Sequence, residues 1–165
     1  MRILIAYATK TGTSRDMCML LASLLPNHEV TLADLGETAP SPLEFDYVVL
    51  GSPVRMGKLH RAARAYLKAQ GDALAGVVHT LFLCCAFADQ FENYAEMLYP
   101  KKLLESADEV IYFGGELNLS RQRGMDKLLV RMMRSAIRDS EDDEAMLPGP
   151  LPEHVRLLAD RLRGL

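Results

Sequence analysis

The chain has 165 residues, of which 49% are hydrophobic and 25% charged, and its formal net charge is −3. These values are typical of one globular domain and exclude disordered, collagen-like and low-complexity architectures. The slightly acidic balance argues against nucleic acid as a partner. No apolar run reaches the roughly 18 residues of a membrane span, and the N-terminal run lacks the pattern of a secretory signal, so we expect a cytoplasmic location. The cysteines have no metal-ligand spacing, so neither a disulfide framework nor a metal site is expected.

Apolar runs and helical periodicities alternate along the chain. The apolar runs predict strands at residues 2–8, 29–34, 45–50, 77–84 and 109–113. Apolar residues at helical spacing predict helices at residues 15–25, 61–70, 90–104, 124–138 and 152–163, the third of which must be kinked or split at Pro100. This alternation predicts a single α/β domain over residues 1–165 with a five-stranded parallel sheet.

The turn after the first predicted strand carries the strongest functional signal. It consists of Thr9, Lys10, Thr11, Gly12, Thr13 and Ser14, and most of these residues carry hydroxyl groups. The N–H groups and dipole at a helix N-terminus favour an anion, and Gly12 lets the backbone approach a ligand closely. The alternative is an ordinary turn in which Thr or Ser caps the helix. The glycine patterns of P-loops and dinucleotide-binding units are absent from this unit.

This turn resembles the phosphate loop of the flavodoxin family, which has the pattern S/T-x-T-G-x-S/T. Thr9, Thr11, Gly12 and Ser14 match the pattern, and Thr13 fills its variable place. The resemblance implies that residues 9–14 cradle the phosphate of an FMN cofactor. It also implies a flavodoxin-like three-layer sandwich, in which a parallel sheet of order 2-1-3-4-5 carries helices on both faces.

A second segment, YVVLGSPVRMG at residues 47–57, resembles the third strand and following loop of the flavodoxin-like protoporphyrinogen dehydrogenase branch. The pattern of that branch, G-A/S-x-I/V-R-x-G, is matched by Gly51, Ser52, Val54, Arg55 and Gly57. His60 follows in a similar place, where we expect a residue at the start of a helix rather than a catalytic base. The resemblance implies an oxidoreductase that passes electrons from a porphyrinogen-like substrate to a quinone.

Two loops are expected to flank the isoalloxazine ring of FMN. After the third strand come Ser52, Pro53, Val54, Arg55, Met56 and Gly57, of which Val54–Met56 can cover one side of the ring. After the fourth strand come Cys85, Ala86 and Phe87, which should reach the other side. Phe87 suits the core as well as a ring wall. Cys84 and Cys85 could form a redox pair, but adjacent cysteines rarely close a disulfide without strain. We therefore expect Cys84 to pack inward and Cys85 to lie near the cofactor.

The predicted helix at residues 124–138 has an apolar face rich in methionine and a basic face formed by Lys127, Arg131, Arg134 and Arg138. Either its cations point to water, or the helix contacts an acidic partner or the inner face of a membrane. Three functions remain open: an FMN oxidoreductase with a quinone or protein acceptor, a flavodoxin-type electron carrier without a substrate of its own, and a flavodoxin-like domain that has lost its cofactor. Carrier flavodoxins are strongly acidic, whereas the charge of this chain is −3.

Overall fold

A computed structural model describes residues 1–115 and 149–165 of the chain. The strands of its sheet are β1 (Arg2–Tyr7), β2 (Glu29–Asp34), β3 (Tyr47–Arg55), β4 (Lys58–Leu59), β5 (His79–Cys84) and β6 (Glu109–Tyr112). The α-helices in these residues are α1 (Thr13–Ser23), α2 (Arg61–Leu74), α3 (Phe91–Leu98), α4 (Lys101–Ser106) and α5 (Pro152–Arg163). Short 3-10 helices occur at Pro42–Glu44 and Ala88–Gln90. The basic helix predicted at residues 124–138 lies outside the described residues.

The strands other than β4 form a parallel sheet in the order β2-β1-β3-β5-β6, and β4 pairs antiparallel with the end of β3. When β4 is left out of the count, this is the order 2-1-3-4-5, so the predicted fold is confirmed. The register places Ile5 of β1 beside Leu32 of β2 and Val49 of β3. The carboxyl ends of β1, β3 and β5 therefore lie next to one another, at the edge where parallel sheets bind ligands.

Both faces of the sheet are covered, because successive residues of a strand point to opposite sides. Ile3 and Ile5 of β1 pack against α1 and α5, whereas Leu4 and Ala6 pack in the second core, which contains side chains of α2, α3 and α4. These four side chains of β1 are each 0% exposed. The continuous apolar run at the N-terminus thus supplies both layers of a three-layer sandwich.

The predicted end of the third strand was wrong. The sequence suggested an end near residue 50 with a loop at Ser52–Lys58, but β3 continues to Arg55 and forms a hairpin with β4, in which Val54 lies opposite Leu59. Gly51 is consequently inside a strand, where a Cβ atom would lie 2.3 Å from the ring of Phe82. A glycine stands there because the neighbouring aromatic ring occupies the space of any side chain.

The other boundaries differ by a few residues. Helix α2 continues past Gly71 to Leu74, since Leu74 is fully buried in the core and keeps the last turn in place. The helix predicted at residues 90–104 is divided at Pro100 into α3 and α4, as expected. The bounds predicted for α5 agree with those observed.

Candidate functional site

The turn between β1 and α1 is closed by hydrogen bonds around Gly12. Gly12 has φ of 95°, a region that residues with a side chain rarely adopt. Its N–H donates to Thr9 Oγ1 at 3.0 Å, and its carbonyl accepts the N–H of Asp16 at 2.9 Å. Thr9 therefore closes the turn from within, and the backbone of Gly12 leads directly into α1.

The alternative interpretation, a Thr or Ser cap at this helix, is not observed. The N-cap residue of α1 is Gly12, which has no side chain that could make a capping hydrogen bond. Ser14 is 1% exposed, and its Oγ has no hydrogen-bond partner in the described part of the chain. The N–H groups of a helix N-terminus and the buried, unpartnered hydroxyl of Ser14 fit a bound phosphate, which would accept from both.

The cysteines around this turn are thiols at neutral pH. Burial raises the pKa of Cys84 to about 12 and raises the pKa of Cys18 well above its usual value. Cys84 packs in the core that holds α1, as predicted. Burial also raises the pKa of Cys85 to about 11. All three cysteines are free. Buried thiols with a raised pKa are weak nucleophiles.

The hairpin of β3 and β4 ends in a tight turn at Met56 and Gly57. Both residues have positive φ, 50° and 68°, which defines the primed turn typical of two-residue hairpins. Met56 is 81% exposed. Met56 therefore lies outside the core, while its contact with the flavin remains a prediction.

A serine and a histidine hold the base of this hairpin. Ser52 Oγ is fully buried, donates to the carbonyl of Pro53 at 2.9 Å and accepts the N–H of His60 at 2.9 Å. His60 is also the N-cap of α2, since its Nδ1 accepts the N–H of Ala62 at 3.2 Å. The residue expected at a helix start is therefore a cap.

The pKa of His60 is lowered, because the ring is partly buried and because Arg61, Lys10 and Arg64 oppose a further positive charge. Asp34 acts in the opposite direction. The charged residues that act on His60 follow β1, end β2 and begin α2, so these three parts of the chain lie close together. A neutral imidazole is the form that accepts the hydrogen bond of the cap.

The loop after β5, which is expected to flank the ring on its other side, is held by hydrogen bonds. Cys85 Sγ donates to the carbonyl of Phe87 at 3.5 Å, and the carbonyl of Cys85 accepts from Tyr112 Oη at 2.7 Å. Gly115 presses on this loop so closely that a Cβ would lie 2.4 Å from the Cys85 carbonyl oxygen. Phe87 is half-buried and belongs to neither core of the described chain, which favours the ring-wall interpretation.

Sequence reasoning missed the links that hold these loops. Ser52 and His60 are eight residues apart, and Tyr112 reaches Cys85 from another strand. Only the Gly114–Gly115 pair signals the close approach in the sequence. Within the described ranges, no group of three or more His, Cys, Asp and Glu residues is arranged to hold a metal ion. None of the helices at residues 1–115 and 149–165 is long and apolar enough to cross a bilayer.

The sheet order defines a flavodoxin-like α/β protein. A family model described as a flavodoxin domain matches residues 4–144, so the chain belongs to the flavodoxin family. A curated relative, protoporphyrinogen IX dehydrogenase (quinone) of Escherichia coli strain K12, is 24% identical over 143 residues, which cover 81% of this chain and 78% of the relative.

Solved structures agree on the fold. Oxidised flavodoxin 1 from Bacillus cereus superposes with a TM-score of 0.52 at 14% identity. The match covers 84% of this chain and 99% of the flavodoxin chain. A flavodoxin from the domain Archaea gives a TM-score of 0.51 at 14% identity, with the same coverage of both chains. Rubredoxin oxygen:oxidoreductase from Desulfovibrio gigas superposes with a TM-score of 0.50 at 11% identity. The match covers 98% of this chain and 37% of the oxidoreductase chain.

Proposed function

We propose that this chain binds FMN and passes electrons from a reduced substrate to an acceptor. The observation that carries the proposal is the buried Ser14 hydroxyl without a hydrogen-bond partner in the first turn of α1, a helix whose N-cap is Gly12 with positive φ. Membership in the flavodoxin family makes FMN the phosphate-bearing group that suits this cradle. Bound FMN supplies the redox chemistry, and the protein supplies binding, orientation and electrostatics.

The chain's own residues have separate tasks in this proposal. The N–H groups and hydroxyls at Thr9–Ser14, with Lys10 at the rim, hold the phosphate. The hairpin residues Ser52–Gly57 cover one side of the ring, and the loop Cys85–Phe87 covers the other. Since Ser52 fixes the hairpin and Tyr112 fixes the second loop, both walls are held before the cofactor arrives.

For the reaction we propose a porphyrinogen as the electron donor and a quinone as the acceptor. The support is the curated relative, whose similarity covers about four-fifths of each chain. The net charge of −3 is small beside that of strongly acidic carrier flavodoxins, which dock with basic partners. A peripheral membrane location, with the basic segment at residues 124–138 on the lipid surface, would give access to an apolar quinone.

Two measurements test the proposal. Titration of the purified protein with FMN should shift the flavin absorbance and quench its fluorescence, with a single saturable site. Anaerobic protoporphyrinogen with a menaquinone analogue should then show turnover that depends on FMN. If FMN binds but no turnover is observed, the electron carrier is favoured. If FMN does not bind, a domain that has lost its cofactor is favoured.

A further inference from the structure

A stripe of basic side chains runs from the hairpin onto α2. Its members are all exposed and are Lys58 of β4 and Arg61, Arg64 and Lys68 of α2. The three residues of α2 are spaced i, i+3 and i+7, so they share one face of the helix. Residues 47–71 contain no Asp or Glu, although acidic residues outnumber basic ones in the whole chain by 22 to 19. We call these four side chains the basic stripe.

The basic stripe differs from most other cations of the described chain, because its members have no carboxylate partner. Ion pairs with Asp or Glu involve Arg2, Arg15, Lys101, Lys102, Arg161 and Arg163. None of the four stripe residues forms an ion pair within residues 1–115 and 149–165. Asp72, the first acidic residue after the stripe, pairs with Lys102 instead. The charge of the stripe is therefore open to a binding partner.

The stability of α2 does not account for these positions. The dipole of a helix favours acidic residues in the first turn and basic residues in the last turn. The first turn of α2 has no acidic residue and begins with Arg61, and the last turn has no basic residue. Burial lowers the pKa of the N-cap His60, and the charges of Arg61 and Arg64 lower it further. Positive charge is thus concentrated at the helix end that tolerates it least.

The basic stripe begins beside the proposed cofactor site. Lys58 lies in the hairpin itself, and the start of α2 is held to the hairpin where the N–H of His60 donates to Ser52 Oγ at 2.9 Å. A partner that docks on the stripe would therefore stand next to the loops expected to flank the flavin. This position suits a protein that exchanges electrons with the flavin.

The form of the stripe favours a protein over a lipid surface or a small anion. The apolar side of α2, with Tyr66 and Leu67, is buried in the core, so the helix has no apolar face to insert into lipid. Arg61 and Lys68 are about 10 Å apart along the helix, which is a span for several carboxylates. The small side chains of Ala65 and Ala69, also exposed, let another surface approach closely.

We propose that the basic stripe docks an acidic electron-transfer protein beside the cofactor loops. Carboxylates of the partner pair with the stripe and steer the encounter, as complementary charges do at transient interfaces. The docking itself does not require bound FMN, and only the redox role of the partner rests on the proposed function. The partner is a macromolecule in addition to the porphyrinogen and the quinone proposed above.

The test uses two electron carriers of opposite charge, an acidic plant-type ferredoxin and the basic cytochrome c. Binding of each to the full chain saturated with FMN is measured by microscale thermophoresis. We expect ferredoxin to bind about tenfold or more tightly than cytochrome c at low salt, whereas the net charge of −3 alone would favour cytochrome c. Raising the salt to about 0.5 M should weaken ferredoxin binding about tenfold or more.

Charge reversal on the stripe locates the docking surface. Arg64→Glu combined with Lys68→Glu should weaken ferredoxin binding about tenfold or more at low salt, and the two corresponding Gln substitutions should give a smaller loss. Thermal melting should show no loss of stability, because Glu and Gln are good helix formers at exposed positions. The matched control is Arg156→Glu combined with Arg163→Glu, which changes the net charge equally. These exposed residues belong to α5, on the other face of the sheet, and their reversal should leave binding within about threefold.

Equal ferredoxin binding by wild type and the stripe variant, or an equal loss in the control variant, would overturn the inference. Tighter binding of cytochrome c than of ferredoxin would also overturn it. If only anionic phosphatidylserine vesicles bind, and the stripe variant loses that binding, the stripe contacts lipid and the inference is wrong. FMN fluorescence in the same samples distinguishes the two proposals. FMN binding without ferredoxin docking refutes the stripe alone, and docking without FMN binding refutes the oxidoreductase alone.

Discussion

The cap formed by His60 should make the stability of this protein depend on pH. The neutral ring accepts the N–H of Ala62 through Nδ1, and a protonated ring cannot. The pKa of His60 is lowered in the folded state, first by burial, so protons bind the unfolded chain more tightly. The stabilisation is therefore fully present above the unfolded pKa of about 6.5 and is lost as the pH falls through the lower, folded pKa.

The size of the effect follows from the cap. Loss of an N-cap hydrogen bond costs about 1 kcal/mol. Asparagine caps helices well and does not titrate, so His60→Asn keeps the cap at every pH. Relative to this variant, the wild type should lose about 1 kcal/mol of unfolding free energy between about pH 8 and about pH 5.

Urea denaturation over this pH range, with FMN absent, measures the difference. His60→Ala is the second control, because it should be less stable than wild type at the upper pH and nearly equal to it at the lower pH. Parallel pH curves for wild type and His60→Asn would refute the reasoning, since the cap would then not depend on the protonation state of the ring.

Two further predictions concern the proposed cofactor site. Ser14→Ala should leave the apo protein equally or more stable, because it removes a buried hydroxyl without a partner. It should weaken FMN binding about tenfold, because a hydrogen bond to a charged group contributes about 1.5–3 kcal/mol. Thermal melting measures the first effect and FMN fluorescence the second, and an unchanged FMN affinity would contradict the phosphate site. Met56→Asn should stabilise the apo protein by up to about 1 kcal/mol, since asparagine tolerates positive φ. It should also alter the absorbance spectrum or the redox potential of the bound flavin. If both are unaltered, Met56 does not contact the flavin ring.

The sequence predicts those features that depend on neighbouring residues. The alternation of apolar runs establishes the order of strands and helices, Pro100 divides α3 from α4, and the hydroxyl-rich turn stands where α1 begins. The hairpin of β3 and β4 was missed because its turn has Met56 where asparagine, aspartate or glycine is usual. Without that signal, the strand was expected to end near Gly51.

Features built from distant residues could not be predicted in this way. Ser52 holds the start of α2 only because β4 turns the chain back, and Tyr112 reaches Cys85 only because β5 and β6 are paired. The contact of Phe91 in α3 with Tyr112 in β6, and the ion pair of Glu109 in β6 with Arg161 in α5, also join residues that are far apart in the chain. Side-chain positions of this kind depend on the packing of whole elements, which periodicity does not describe.

The last prediction concerns the basic segment at residues 124–138, which lies outside the described residues, and its proposed contact with an anionic membrane. Each Lys or Arg near such a surface contributes about 1 kcal/mol, so Lys127, Arg131, Arg134 and Arg138 together should give measurable binding to anionic vesicles at low salt. Salt should weaken this binding, because screening shortens the range of the attraction. Reversing Arg131 and Arg134 to Glu should abolish co-sedimentation with the vesicles, while FMN binding persists. The matched control reverses Arg156 and Arg163, which are exposed cations of α5, and should leave a larger part of the binding intact. If wild type does not sediment with anionic vesicles at low salt, a membrane-bound quinone is not the acceptor, and a protein or a water-soluble acceptor takes its place.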